Sequence, residues 1–176
     1  KEINRKKYLL NYFIKRSLFI KVKDTKKYLL KNILKSNIKY FIFAGNYGQI
    51  LGPEFFKFKK KYIHVHPGNL PFFRGSTTYY YEYLLKNKVT YSSIFLSEKL
   101  DSGQIIKKKI FNPTGIDFSK LDDVYDPNFR SQVLIETLKK LKKKISFNKC
   151  KNKIYPDYKV IHPLLKHLAI LKSKFS

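Results

Sequence analysis

Two histidines stand one residue apart in Tyr62-Ile63-His64-Val65-His66, and Pro67-Gly68 stops the run behind them. Side chains alternate along an extended strand, so Ile63 and Val65 face one way while His64 and His66 face the other. Two imidazoles on one face, at the carboxyl end of a strand, are poor core material and suit chemistry. With a carboxylate such as Asp101 they approximate a two-histidine, one-carboxylate metal set, as a metal-dependent hydrolase would need. The same groups also suit acid–base chemistry on a carbonyl, with the carboxylate orienting and charging an imidazole. The spacing alone leaves both open.

The flanking elements must bring such groups to a ligand. Apolar residues at Tyr8, Leu9, Tyr12 and Phe13 have helical spacing, and Leu18 to Val22 reads as a short strand. Asp24-Thr25 supplies an N-cap for a helix through about Lys35. Tyr40 to Ala44 is a continuous apolar run, as expected of a strand buried on both faces. A Gly-containing loop follows, and Gly52-Pro53-Glu54 opens a short helix before the histidine strand. Further helices are expected from about Thr77 to Lys86, Asn128 to Lys144 and Pro163 to Leu171. Tyr91 to Leu96 and Gln104 to Phe111 read as antiparallel partners across Leu100-Asp101-Ser102-Gly103. This order argues for an α/β open sheet, in which ligands bind beyond the carboxyl ends of the strands.

Three ordered segments resemble one enzyme family. His66-Pro67-Gly68-Asn69-Leu70-Pro71-Phe72-Phe73-Arg74-Gly75 resembles the His-Pro-Ser-x-Leu-Pro-x-x-Arg-Gly segment of formyltransferases that use 10-formyltetrahydrofolate. Leu100-Asp101-Ser102-Gly103-Gln104-Ile105 is similar to their Leu-Asp-x-Gly-x-Ile loop, and Ala44 to Leu51 to their folate-binding loop. The resemblance implies a Rossmann-like, mostly parallel sheet with helices on both faces and a hairpin near the site. It implies that His66 stabilises or protonates the tetrahedral intermediate, while Asp101 holds His66 in position and raises its pKa. Asn46, Tyr47, Gln49, Ile50 and Leu51, with Ser97, Glu98, Lys99 and Leu100, would hold the pterin of the formyl donor. Asn69, Arg74, His162 and Lys166 would meet an acceptor amine, anionic and small, with a nucleotide-linked amino sugar for surface polysaccharide the favoured class.

The chain also departs from that pattern. His64 occupies the position where most members carry an asparagine that donates to the oxyanion, a role one imidazole nitrogen can fill. No glycine precedes Gly45, so the family's opening strand and acceptor loop are missing or altered. We therefore expect a catalytic domain over residues 1–150 lacking that first strand and loop, and a tail over 151–176 with a short helix. The carboxyl-terminal barrel of methionyl-tRNA formyltransferases is not in the chain, which weakens a tRNA reading. A catalytically silent, ligand-binding relative is the alternative of a different class.

Composition bounds the rest. At 176 residues and 43% hydrophobic, the chain suits one globular domain, too apolar to be disordered. Its formal charge of +26 invites a nucleic-acid partner, but 34 of its 38 cations are lysines scattered along the chain. Arginine's planar fork is the better phosphate reader, so a solvated surface is the stronger reading. The scarce acids Asp117, Asp122, Asp123 and Asp126 cluster ahead of a helix, as capping or turn chemistry would require. Tyr79, Tyr80, Tyr81 and Tyr83 read chiefly as the packed face of a helix. A lone Cys150 rules out an internal disulfide. No apolar run reaches the roughly 20 residues needed to span a bilayer and no secretory signal opens the chain, so we read it as cytoplasmic, with homodimerisation open. With no methionine at all, it is expected to be a fragment or a processed chain.

Overall fold

In a computed structural model of the chain, residues 25–45, 50–143 and 155–175 are described. The expected helix near residue 8, the strand at 18–22 and Cys150 lie outside them. Compactness divides the chain into residues 1–38 and residues 39–176. In the first unit, helix α1 (Thr25–Lys35) covers the expected helix, and Ser36 closes it by donating its hydroxyl to the Ile33 carbonyl at 3.0 Å.

The second unit is built on a four-stranded sheet. Strand β1 (Tyr40–Ile42) pairs in parallel with β2 (Lys61–His66). Strand β2 pairs antiparallel with β4 (Val89–Phe95), and β4 antiparallel with β5 (Ile105–Phe111). The short β3 (Arg74–Gly75) leaves this sheet to form a parallel ladder with β6 (Asp157–Tyr158). Helices α2 (Thr78–Lys86), α3 (Asp126–Lys142) and α4 (Pro163–Lys174) complete the unit.

Helices α2 and α3 both pack on β4. Glu82 of α2 accepts from the Thr90 amide and hydroxyl, while Thr137 of α3 donates to Ser93 and Phe129 packs edge-on to Tyr91. The tyrosines of α2 are core: Tyr80 and Tyr83 are fully buried with Phe118, Leu121 and Val133, and Ile161 and Ala169 join them from the tail. This is an α/β open sheet of Rossmann-like build, with the β4–β5 hairpin where it was expected.

One expectation about β1 is corrected. Its apolar run is not buried on both faces: Tyr40 and Ile42 stay 41% and 54% exposed, and the strand ends at Ile42. Among the described residues β1 is the last strand in the sheet order, so β2 is its sole described neighbour.

Candidate active site

The carboxyl ends of β1 and β2 open into a cavity of about 870 Å³, within the range usual for small-molecule sites. Its walls include Ile42, Ile50, Leu51, Leu96 and Leu100, and the histidines and Asp101 meet there.

His66 ends β2 and is 2% exposed. Its Nε2 lies 2.8 Å from the Phe73 carbonyl and 3.3 Å from the Thr78 hydroxyl, which itself donates to the Pro67 carbonyl. Both neighbours therefore accept, so Nε2 carries the hydrogen. The other nitrogen, Nδ1, lies 3.5 Å from Asp101 Oδ1, close enough to pair and too long for a full hydrogen bond. Both ring nitrogens thus have neighbours inside the protein. Among the described residues no three His, Cys, Asp or Glu side chains group to hold a metal ion.

Asp101 is placed by two glycines. Gly75, at φ +96, donates its amide to Asp101 Oδ2 at 3.0 Å, and a Cβ there would lie 2.2 Å from the Tyr158 carbonyl. Gly103 lets the loop fold back onto β4, where a Cβ would sit 1.7 Å from the Phe95 carbonyl. Asp101 itself takes the left-handed conformation at φ 48, which aspartate tolerates better than most residues.

His64 is half-buried and lines the same cavity. The parallel pairing carries Phe43 beside it, because the Phe43 amide donates to the Ile63 carbonyl at 2.8 Å. The Phe43 carbonyl then lies 3.1 Å from His64 Nδ1.

Asp101 pulls the His66 pKa upward as expected, but burial outweighs it. Burial holds His66 below the ordinary imidazole value; Asp101 and the Phe73 bond pull it upward without prevailing, and His64 and Arg130 push it further down. Asp101 therefore does not leave His66 with a raised pKa, since removing the ring from water costs its cation more than the carboxylate returns. Burial also lowers His64, again against upward pulls from Phe43, Asp101 and Asp126.

The other expected ligands divide. Ile50, Leu51, Ser97, Glu98 and Leu100 line the cavity; Asn46, Tyr47 and Gln49 lie outside the described residues. Lys99 does not line it, and its carbonyl accepts from Ser97 and Ser102 to shape the loop.

None of the four residues expected at the acceptor lines the cavity, and each has a partner inside the protein. Arg74 is buried, donating to the Leu100 carbonyl at 2.6 Å and pairing with Asp157 at 3.2 Å. Asn69 accepts from Lys108, His162 caps α4 by accepting from the Leu164 amide, and Lys166 pairs with Asp122 at 2.6 Å. The cavity's cations are instead Arg130 and Lys159. Arg130 donates to the Val65 carbonyl at 2.6 Å and pairs with Asp126 at 2.8 Å. Nothing in the local sequence of either residue marks it, since both reach the cleft from distant segments.

The sequence matches the family model described as formyl transferase over residues 5–113, well over half of the chain. The chain belongs to the formyl transferase family. No curated protein matches it. Among solved structures, the chain is similar to phosphoribosylglycinamide formyltransferase from Campylobacter jejuni subsp. jejuni, at 24% identity and a TM-score of 0.57 over 74% of this chain and 72% of that one. A sugar N-formyltransferase from Shewanella sp. aligns at 18% identity and 0.57, over 88% and 66%. HypX from Aquifex aeolicus in complex with tetrahydrofolic acid aligns at 16% and 0.56, over 77% of this chain and 24% of that one. The chain thus spans about a quarter of HypX and two-thirds to three-quarters of the other two. At these identities the likeness is one of fold.

Proposed function

We propose that this formyltransferase moves a formyl group from 10-formyltetrahydrofolate to the primary amine of a small molecule, with a nucleotide-linked amino sugar the favoured acceptor. What carries the reading is the meeting of His66 with Asp101 at 3.5 Å inside the cavity, in a chain of this family. The sugar N-formyltransferase fold and the tetrahydrofolic acid complex among the similar structures support the acceptor class and the donor.

The residues present fit the donor: the apolar side chains of Ile50, Leu51, Leu96 and Leu100 suit a flat heteroaromatic ring, beside the polar Ser97 and Glu98. When bound, the donor supplies an activated formyl carbon. The protein's part is orientation and electrostatics. With Nε2–H held on the Phe73 carbonyl, His66 acts through Nδ1, the nitrogen facing Asp101. With the pair's one proton on His66 Nδ1, the imidazolium, stabilised by Asp101, donates a hydrogen bond to the formyl oxygen as negative charge develops there. Lys159, on the cavity wall, bonds no described residue and is placed to meet an anionic acceptor.

The test is formyl transfer by the purified chain with 10-formyltetrahydrofolate and an amino-sugar nucleotide. Transfer is expected, with His66→Ala slower by about 10²–10⁴-fold. Donor binding without transfer to any amine, with His66→Ala indistinguishable, favours the silent ligand-binding relative.

A further inference from the structure

His64 stands where an amide would have been a permanent hydrogen-bond donor, and its surroundings give it the opposite character. Nδ1 lies 3.1 Å from the Phe43 carbonyl, which can only accept, so the ring's hydrogen sits on Nδ1. That carbonyl belongs to backbone pinned by the Phe43 amide on Ile63, so ring and partner are held by the sheet itself. In the neutral ring Nε2 is then a bare lone pair, and it bonds no described residue, while His64 lines the cavity. An uncharged His64 of this tautomer accepts a proton and cannot donate one into the cleft.

The neighbouring charges assign the two imidazoles different tasks. Asp101 stands beside His66, so a proton taken up by the group settles on His66 Nδ1. Burial first and Arg130 next oppose a proton on His64, against upward pulls from the Phe43 carbonyl, Asp101 and Asp126.

We propose that His64 is the catalytic proton acceptor for the attacking amine, with the Phe43 carbonyl fixing the tautomer that makes Nε2 basic. This rests on the formyl-transfer reading above. His64 takes one proton at Nε2 as the amine nitrogen bonds to the formyl carbon. It returns that proton to the donor nitrogen as the bond from the formyl carbon to that nitrogen breaks. The amine has then exchanged one N–H for an N–formyl bond, and the donor nitrogen has gained the hydrogen.

Asparagine separates the two roles, because its amide donates and cannot take a proton at this pH. His64→Asn is expected to lower kcat by about 10²–10⁴-fold, with KM for the donor little changed. A His64→Asn enzyme as fast as the unaltered chain, or faster, overturns the proposal while leaving formyl transfer standing. An unaltered chain that transfers no formyl group overturns the transfer reading and this role with it. Independently of activity, long-range ¹⁵N–¹H spectra of the full chain at pH 8 are expected to show the Nδ1–H tautomer at His64. An Nε2–H tautomer there overturns the proposal.

Discussion

Asp101, at the strand ends, and Asp122, beside the helices, are carboxylates in one molecule with contrasting company. Asp122 accepts from the Tyr79 hydroxyl at 2.7 Å, the Tyr80 hydroxyl at 3.0 Å and the Lys166 ammonium at 2.6 Å. Burial would raise its pKa, but Lys166 and the two hydroxyls outweigh that and hold it low. The tyrosines pay the converse, since burial first and Asp122 second push both phenols well above their ordinary value. Asp101 is more deeply buried, at 7% exposure, yet has one short bond, from Gly75, and a looser approach to His66. A carboxylate saturated by fixed donors fixes structure. One left with unused valence beside an imidazole can still take part in moving a proton.

The sharpest way to break this contrast is to neutralise each acid in turn. Asp101→Asn keeps an acceptor for the Gly75 amide and removes the charge that stabilises an imidazolium at His66. We expect kcat to fall by about 10²–10⁴-fold with the fold intact by circular dichroism. If the variant transfers formyl groups at the original rate, Asp101 is as structural as Asp122.

Asp122→Asn should do the reverse. It loses charge-assisted bonds, worth about 1.5–3 kcal/mol in stability by the usual scale for such bonds and less here because Lys166 and Asp122 are some 40% exposed. Urea denaturation should show the loss, with turnover by the remaining folded protein unchanged. Lost turnover at unchanged stability would contradict it.

The smallest effect is on pH. Folding holds His64 and His66 below their ordinary value of 6.5, so the unfolded chain binds protons that the folded chain refuses. The stability they favour is fully present above that value and falls as pH drops through it. Glu82, raised by burial from 4.5, works the other way, and Asp122 adds a second loss below about its ordinary 3.8. Urea midpoints at pH 8 and pH 5.5 should therefore differ less when both histidines are replaced by asparagine. An unchanged difference would show that the rings do not resist protonation.

Much of this arrangement is legible along the chain. The alternation of Ile63 and Val65 against His64 and His66, the Pro-Gly stop and the Asp-Ser-Gly turn are local patterns, and local backbone geometry suffices to read them. The β4–β5 hairpin and the starts of α1 and α4 are readable for the same reason. Local pattern failed where partners come from afar. Tyr40 to Ile42 looks like a buried strand until its place in the sheet order is known, and nothing near Arg74 in the sequence announces its partners Asp157 and the Leu100 carbonyl. Arg130 and Lys159 carry no local mark at all.

By itself, then, the order of residues determined which chemical groups are available and which of them share a strand face, because both follow from side-chain type and a period of two. The tertiary structure decided how those groups are protonated and which are left to the cavity. A proton's position on an imidazole is set by the carbonyl or carboxylate beside it, and Phe43, Phe73 and Asp101 reach the two rings only through strand pairing and loop closure.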